Sequence, residues 1–189
     1  MDRSKLLAKT GMPGFYISCV LAAIEGEGDP RNLMVVFDLL QFVLLNFCNS
    51  DCLVIANAVL EPFVEDIFDK VSCYFPINFT PPKDDKFKIT PEALKVRLKN
   101  CFLACDHPTM IENAFPFIIQ KITDDSADTK RDGLEILEGL IAKLTLSQAH
   151  EKHLEMAISA LLNEYFNRFD LEVQAMLRCS LIRILNMAE

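Results

Sequence analysis

The residues best suited to chemistry in this sequence are its seven cysteines and three histidines. Cys101 and Cys105 lie four residues apart, and His107 follows two residues later. Residues four apart share a helix face, and thiolate and imidazole groups bind zinc and iron well, so these three side chains could approach one metal ion. However, the spacing differs from that of a zinc ribbon, and free cysteine is usually buried. The residues therefore favour buried structural thiols.

Two further groups contain residue types that bind metals. Cys48 and Cys52 repeat the spacing of four residues. His150 and His153 lie one helical turn apart, beside Glu151. An exposed polar helix face is the ordinary interpretation of such a pair. We therefore predict no resident metal or cofactor at these positions.

The sequence lacks the common motifs of hydrolases and nucleotide-binding enzymes. It contains no Gly-x-Ser-x-Gly elbow, no glycine-rich phosphate loop and no His-Glu-x-x-His. With six glycines in the whole sequence, a glycine-rich loop that binds nucleotide phosphates is not expected. Carboxylates are paired at Asp84-Asp85 and Asp124-Asp125, but both pairs fall in predicted turns, where aspartate is a routine capping residue. We predict that the protein is not an enzyme.

Composition and charge favour a protein that binds other proteins. Hydrophobic residues make up 51% of the 189 residues, and the mean hydropathy is +0.20. The most apolar stretch, Leu33–Phe47, is shorter than the ~20 residues that a membrane-spanning helix needs. The net charge of -8 opposes binding to nucleic-acid phosphates. With no secretory signal at the N-terminus, we predict a cytoplasmic and nuclear protein with reduced thiols and no membrane or nucleic-acid partner.

The segment Ser72–Pro82 is rich in proline and yet strongly apolar. Its prolines lack the amide donor that a helix requires, whereas its aromatic residues are too apolar for an ordinary solvated loop. Two interpretations stay open: a strap over the chain's own core, or an anchor for a partner. In the second, the charged segment Lys83–Lys88 would supply the polar rim of an interface. The predicted interaction surface then comprises Tyr74, Phe75, Ile77, Phe79, Lys83, Lys86 and Phe87.

Elsewhere, apolar residues recur at helical spacing, and no stretch alternates as a half-buried strand does. Asp29 and Thr90 are predicted N-caps, because each precedes a proline that suits the first helical position. Helices are predicted over Phe15–Ile24, Pro30–Cys48, Leu53–Leu60, Pro62–Cys73, Pro91–Cys105, Pro108–Ile122, Ala127–Leu144, His150–Phe169 and Leu171–Met187.

The spacing of the predicted helices indicates a repeat. Leu39, Leu98, Leu137 and Leu177 lie near the centres of alternate helices, about 59, 40 and 40 residues apart. The long interval contains the proline-rich segment as an insertion, and a period of about 40 residues is that of HEAT and armadillo solenoids. Residues 114–140 resemble one HEAT unit: a proline in the first helix, aspartates that would cap the second helix and pair with a basic side chain of a neighbouring repeat, and a basic residue early in the second helix. We predict an all-α, right-handed HEAT-type solenoid of about four helical pairs. Residues 1–189 would form a single segment with a proline-rich loop inserted at residues 74–89.

The last predicted helix is apolar on most of its sides. Solenoids usually end in repeats with a polar outer face, which this helix lacks. We therefore expect either a fragment of a longer solenoid or a chain whose ends are covered by association. The apolar positions are Leu171, Val173, Met176, Leu177, Leu181, Ile182, Ile184 and Leu185.

Three segments resemble one protein family in their order and spacing: Glu27–Leu33, Pro62–Phe68 and Ser72–Pro82. The family is the large HEAT-repeat subunit of the cytosolic iron–sulfur protein assembly (CIA) targeting complex, also known as the methyl-methanesulfonate-sensitivity DNA-repair and transcription protein. The resemblance covers about Glu25–Leu144, corresponds to the N-terminal region of the family, and continues over Leu146–Glu189 only as a helix pattern. Family members are several times longer than this chain, which agrees with a fragment.

This resemblance implies a non-catalytic adaptor that helps deliver iron–sulfur clusters to apo-proteins of DNA replication, repair and transcription, such as helicases and polymerases. Family members act with a small acidic-loop subunit and a WD-repeat propeller. They have also been tied to the helicase subunit of the general transcription and repair factor, to cell-cycle kinase activity and to chromosome segregation. Because the small partner docks on C-terminal repeats, this segment would contribute client or regulatory contacts. The resemblance adds no cluster ligand at Cys101 or Cys105 and no catalytic residue.

Two other functions stay open. A HEAT-type scaffold of another pathway, such as nuclear transport or transcription-factor assembly, would share this architecture. A cysteine-coordinated iron or zinc carrier would hold the cargo itself. Stoichiometric iron or zinc in the anaerobically purified protein would favour the carrier, and importin cargo among the partners would favour the other pathway.

Overall fold

The computed structural model describes residues 12–48, 59–81, 87–124, 126–144, 148–167 and 170–187. Eight α-helices lie wholly within these residues, and none of these residues forms a strand. The predicted all-α class is therefore confirmed. The helices are α1 Met12–Ile24, α2 Pro30–Cys48, α3 Val64–Ser72, α4 Pro91–Ala104, α5 Pro108–Ile122, α6 Ala127–Lys143, α7 Gln148–Asn167 and α8 Leu171–Met187.

The predicted capping residues begin two of these helices. At the start of α2, Asp29 Oδ1 accepts a hydrogen bond from the Arg31 amide at 2.9 Å. At the start of α4, Thr90 Oγ1 accepts one from the Ala93 amide at 3.2 Å. Both caps satisfy amide donors that have no partner inside the helix. Helix α1 ends before Gly26, whose φ of +67° is a left-handed conformation that favours glycine.

Several boundaries differ from the predicted ones by about a turn. Helix α1 includes Met12, three residues before the predicted start at Phe15, and α7 includes Gln148, two residues before the predicted start at His150. The predicted end of α7, Phe169, lies outside the described residues. The turn before α3 is a 3₁₀ helix, Glu61–Phe63, with proline in its first turn, and such short 3₁₀ turns are common at the start of α-helices. Of the predicted helix Leu53–Leu60, only residues 59 and 60 are described, and both are helical.

Contacts between the helices divide the chain into two compact units, residues 1–111 and 112–189. In the first unit, α1 packs on α2 and α3, and α4 packs on α2 and α3. In the second unit, α8 packs on both α6 and α7. Packing between alternate helices, as between α2 and α4, is how one helical pair stacks on the next in a solenoid. These contacts agree with the HEAT-type class, whereas the single segment with a loop inserted at residues 74–89 stays a prediction.

The core of the first unit lies largely between α2 and α4. Apart from the thiol of Cys101, the side chains that these two helices bury completely, or almost so, are aliphatic or aromatic. Burying each one contributes about 1.5–3 kcal/mol relative to leaving it exposed. They are Phe37, Leu40, Val43 and Leu44 of α2, and Leu94, Leu98 and Phe102 of α4.

The turn between α5 and α6 differs in detail from the predicted HEAT unit. Ser126, not an aspartate, caps α6: its Oγ accepts a hydrogen bond from the Thr129 amide at 3.3 Å. Asp124 Oδ1 accepts one from the Ser126 amide at 3.0 Å and so orders the turn before the helix. Asp125 lies outside the described residues. Serine is as good a cap as aspartate, because both place an oxygen near the free amides of the first turn.

Lys130, the basic residue predicted early in the second helix of this unit, joins three helices of residues 112–189. Its side chain is 1% exposed, and Nζ donates hydrogen bonds of 2.6 Å to the carbonyl oxygen of Ile122 in α5 and to Glu164 Oε1 in α7. The carboxylate that holds this lysine thus comes from α7, and the predicted pairing of the turn aspartates with a neighbouring repeat stays a prediction. The helix backbones are close here, since a Cβ on Gly133 would lie 3.2 Å from Ile122 Cγ1.

Candidate protein-interaction surface

We call the described residues 74–81 of the proline-rich segment the strap. Its first residue, Tyr74, is hydrogen-bonded to the end of α1. The single hydrogen of the Tyr74 hydroxyl is shared between the carbonyl oxygens of Ile24, at 2.6 Å, and Glu27, at 3.0 Å. Its ring meets Phe37 of α2 edge-on, with centroids 5.6 Å apart. Burial raises the pKa of Tyr74, so the hydroxyl stays a donor. Tyr74 therefore ties the strap to the carbonyl end of α1.

The next aromatic residue of the strap belongs to the core. Phe75 is 7% exposed and packs edge-on against Phe102 of α4, with ring centroids 6.3 Å apart. Ile77 and Phe79 are each half-buried. Tyr74 and Phe75 thus make intramolecular contacts, as expected of a strap over the chain's own core.

The ring of Phe87, by contrast, is largely exposed to solvent. It is 62% exposed, and the Arg31 guanidinium lies 4.9 Å from the ring centroid. Asp29 holds that guanidinium through hydrogen bonds to both carboxylate oxygens, and these bonds lower the pKa of Asp29 to about 2. Of the other predicted surface residues, Lys83 and Lys86 lie outside the described residues.

Helix α2 exposes a row of large apolar side chains that was not predicted as a site. They are Val35, Leu39, Phe42 and Leu45, which we call the α2 stripe. Their spacing of four, three and three residues places them on one helix face. The row starts one turn after Arg31, on which Phe87 stacks. From Arg31 to Leu45 the surface follows α2 for about 21 Å.

Charged residues border this surface. Asp38 lies on the same face of α2, and its Oδ1 is 2.9 Å from Arg97 Nε of α4, an ion pair without hydrogen-bond alignment. Val96, the residue before that arginine, is exposed. Apolar anchors flanked by polar groups are typical of protein interfaces. The sequence signal was the length of the apolar run in α2, which exceeds what one buried face requires.

The second unit also exposes apolar side chains. In α8, the buried positions are Val173, Leu177, Leu181 and Ile184, whereas Leu171, Ile182 and Leu185 are exposed. In α7, Leu162 and Phe166 are exposed. The prediction that α8 is apolar beyond its buried face is therefore confirmed for the described residues.

Cys101 and His107, two residues of the predicted metal-binding group, contact different partners within the protein. Cys101 is buried, its Sγ lies 3.4 Å from the carbonyl oxygen of Phe37, and burial raises the pKa of its thiol to about 12. His107 is buried too, with Nε2 2.7 Å from Glu61 Oε2, while Nδ1 accepts a hydrogen bond from the Thr109 amide at 3.3 Å. Within the described ranges, no three histidine, cysteine or acidic side chains are grouped as metal ligands would be.

The remaining metal-type residues differ in how far the structure describes them. The ring of His153 packs on Phe115, with centroids 4.7 Å apart, so this histidine is not simply part of an exposed polar face. Glu151 is exposed. The side chains of Cys48 and His150, and all of Cys52, lie outside the described part. Within the described part of the chain, no helix is long and apolar enough to cross a membrane.

Comparison with known proteins places most of the chain in one family. Residues 2–167 match the family model MMS19_N, described as Dos2-interacting transcription regulator of RNA-Pol-II. This match extends beyond the predicted Glu25–Leu144 at both ends. The chain is 37% identical over 117 residues to the MMS19 nucleotide excision repair protein homolog of Xenopus tropicalis, covering 62% of this chain and 10% of that protein.

Two further relatives agree. The DNA repair/transcription protein of Saccharomyces cerevisiae that also carries the name MMS19 is 35% identical over 128 residues, covering 68% of this chain and 11% of that protein. The MMS19 nucleotide excision repair protein homolog of Homo sapiens is 34% identical over 122 residues, covering 65% and 11%. The chain thus spans about a tenth of the length of the curated relatives it matches.

Proposed function

The chain belongs to the MMS19 family, and on this premise we propose that it is a non-catalytic, protein-binding part of an adaptor in DNA repair and transcription. Both processes appear in the names of its relatives. More finely, the adaptor delivers iron–sulfur clusters to apo-proteins of DNA replication, repair and transcription. It does so with a small acidic-loop subunit and a WD-repeat propeller, in the cytoplasm and nucleus. Cell-cycle kinase activity and chromosome segregation are downstream of the same contacts.

One observation carries the proposal: the surface from Phe87 and Arg31 along the α2 stripe. Exposed large apolar residues in a row, with an ion pair at their edge, suit the docking of another protein. Aromatic and arginine side chains contribute most per residue to such contacts. The α2 stripe lies on a helix that packs against α1 and α4, so binding there requires little reordering of the backbone.

The state of the buried thiol favours an adaptor over a carrier that holds iron or zinc through cysteine. The Cys101 Sγ donates a hydrogen bond to the carbonyl oxygen of Phe37, 3.4 Å away, so this thiol already has a partner within the protein. Cys101 and His107 also have different partners within the protein. The cluster is therefore cargo that passes between other proteins, while this chain supplies contacts.

The test measures the binding of a purified iron–sulfur helicase to the full-length protein by biolayer interferometry. Phe42→Ser, in the α2 stripe, is expected to weaken binding at least about tenfold, or ~1.4 kcal/mol. The matched control is Phe166→Ser, another exposed phenylalanine on a helix, in the second unit. Equal effects of the two substitutions, or none for Phe42→Ser, would overturn the assignment of the surface.

A second measurement addresses the carrier directly. Protein purified without oxygen is analysed for iron and zinc and by its visible absorption spectrum. We expect neither metal at stoichiometric amounts. Stoichiometric iron that is lost in Cys101→Ala would support the carrier instead.

A further inference from the structure

Thr80 stands in a sequence that suits a protein kinase. The chain contains two Thr-Pro dipeptides, Thr80-Pro81 and Thr90-Pro91, and no Ser-Pro dipeptide. Proline-directed kinases select proline after the hydroxyl residue, since proline has no amide hydrogen to satisfy. Many of them also prefer a basic side chain three residues after the hydroxyl. Lys83 occupies that position for Thr80, whereas Ala93 occupies it for Thr90.

The structure separates the two threonines further. Thr90 is the N-cap of α4, and its Oγ1 accepts a hydrogen bond from the Ala93 amide at 3.2 Å. Pro91 and the residues after it are helical. Kinases bind their substrates as extended chains, so phosphorylation of Thr90 would require the first turn of α4 to unwind. Thr90 is therefore a poor substrate despite its proline.

Thr80 meets the same requirements without rearrangement. It is exposed, as are Asn78 and Pro81, and residues 77–81 form no helix, strand or turn. Thr80 and Pro81 each precede a proline, which disfavours helical conformations and favours extended ones. Among the described residues, none forms a hydrogen bond with the Thr80 hydroxyl. The hydroxyl is thus available to a kinase, on a described segment, residues 77–81, that has no helix to unwind.

We propose that Thr80 is phosphorylated by a proline-directed Ser/Thr kinase, with magnesium-bound ATP as the phosphoryl donor. The Thr80 oxygen attacks the γ-phosphorus, and a new O–P bond forms as the bond from that phosphorus to the β,γ-bridging oxygen breaks. The hydroxyl proton passes to the catalytic aspartate of the kinase, and ADP leaves. The phosphothreonine carries a charge of about −1.5 to −2 at pH 7.

This charge would act on the predicted interaction surface, a consequence that rests on the proposed function. Phe79, next to Thr80, is half-buried, and Ile77 lies two residues before it. A phosphate in an apolar interface disfavours binding, because its charge loses water without gaining a partner. Phosphorylation of Thr80 therefore weakens the binding of a client that covers Ile77 and Phe79 together with the α2 stripe.

The first experiment incubates the purified chain with a recombinant cyclin-dependent kinase and magnesium ATP, then locates phosphate by tandem mass spectrometry. Phosphate is expected on Thr80 and not on Thr90. Thr80→Ala should abolish most incorporation, and Thr90→Ala should leave it unchanged. Lys83→Ala should slow it about tenfold, a loss typical of one recognition contact. Phosphate mainly on Thr90, or none on the chain while a standard peptide is phosphorylated in the same tube, would overturn the proposal.

The second experiment compares phosphorylated and unmodified full-length protein in the helicase-binding assay. Phosphorylation is expected to weaken binding about tenfold, and Thr80→Ala protein treated with the same kinase should bind as before. Equal binding by the two forms would overturn the weakening at the strap. Failure of the unmodified protein to bind would count against the proposed function. It would not affect the test of phosphorylation, because mass spectrometry detects the phosphate on Thr80 without any binding measurement.

Discussion

Side chains of one type take different roles within a short stretch of this chain. Phe75 and Phe87 both belong to the predicted interaction surface, yet Phe75 packs on Phe102 and Phe87 lies exposed over Arg31. Some aromatic residues of this surface therefore anchor it to the core, while others stay accessible to a partner. Stability and binding are then separable by mutation.

Phe75→Ala is expected to lower the free energy of unfolding by about 3–5 kcal/mol, because it removes a buried ring and leaves a cavity. Phe87→Ala, the matched control, should lower it by less than about 1 kcal/mol. Urea denaturation of the two variants and the wild type measures both values. Similar losses in the two variants would show that Phe75 is not part of the core.

The buried thiol of Cys101 predicts a loss of stability in alkali. Burial raises its pKa from the ordinary 9.0 to about 12, because the apolar surroundings disfavour the thiolate. Between these values the folded chain holds a proton that the unfolded chain releases. The stabilisation is thus fully present below about pH 9 and declines as the pH rises towards about 12.

Urea denaturation at several pH values above about 8 tests this expectation, with Cys101→Ala as the comparison. The free energy of unfolding of the wild type should fall more steeply with pH than that of the variant. The difference between the two slopes matters, because burial also raises the pKa of Tyr74 and affects both proteins alike. Parallel slopes would contradict the role assigned to Cys101.

At the scale of elements, a buried ion pair joins helices of the second unit. Lys130 in α6 contacts Glu164 in α7 and the last carbonyl oxygen of α5. Charges at this depth lose their water, so each one depends on the other. The pair thus sets how these three helices meet.

Lys130→Met is expected to lower the free energy of unfolding by about 3–5 kcal/mol, since it leaves the Glu164 carboxylate buried without its cation. The double variant Lys130→Met/Glu164→Leu should recover most of this loss, because no charge remains in the site. Chemical denaturation gives the complete double-mutant cycle.

The neighbouring residue supplies a control for this cycle. Arg131 forms an exposed ion pair with Glu172 of α8, 3.2 Å apart. Arg131→Met should therefore cost less than about 1 kcal/mol. A double variant of the buried pair that is no more stable than Lys130→Met would contradict the origin proposed for the loss.

At the scale of the whole molecule, contacts are concentrated within two units. Stacked helical repeats contact mainly their neighbours, so stability is a sum of local terms. Damage to one unit should then remain largely within it. This behaviour differs from that of a globular protein with one cooperative core.

Hydrogen exchange measured by mass spectrometry tests this locality. In Lys130→Met, protection should fall mainly in α6 and α7, and α1 and α2 should change little. Phe75→Ala should give the reverse pattern. A uniform loss of protection along the chain in either variant would indicate a single cooperative unit instead.

The sequence alone determined the helices, because the signals that begin and end a helix are local. The predicted Pro108–Ile122 and Leu171–Met187 coincide with α5 and α8, and the caps Asp29 and Thr90 lie where the prolines after them required. The spacing of the alternate helices also sufficed for the fold class. These features depend on residues within a turn or two of each other.

Which apolar side chains are covered was decided only by the tertiary structure. Val35 and Val36 are the same residue type in the same helix, yet they are 58% and 6% exposed. No local property of the chain separates them, since helix α2 is apolar on more than one face. The helices that pack on α2 bury one valine and leave the other in the α2 stripe, because burial depends on contacts between residues distant in sequence.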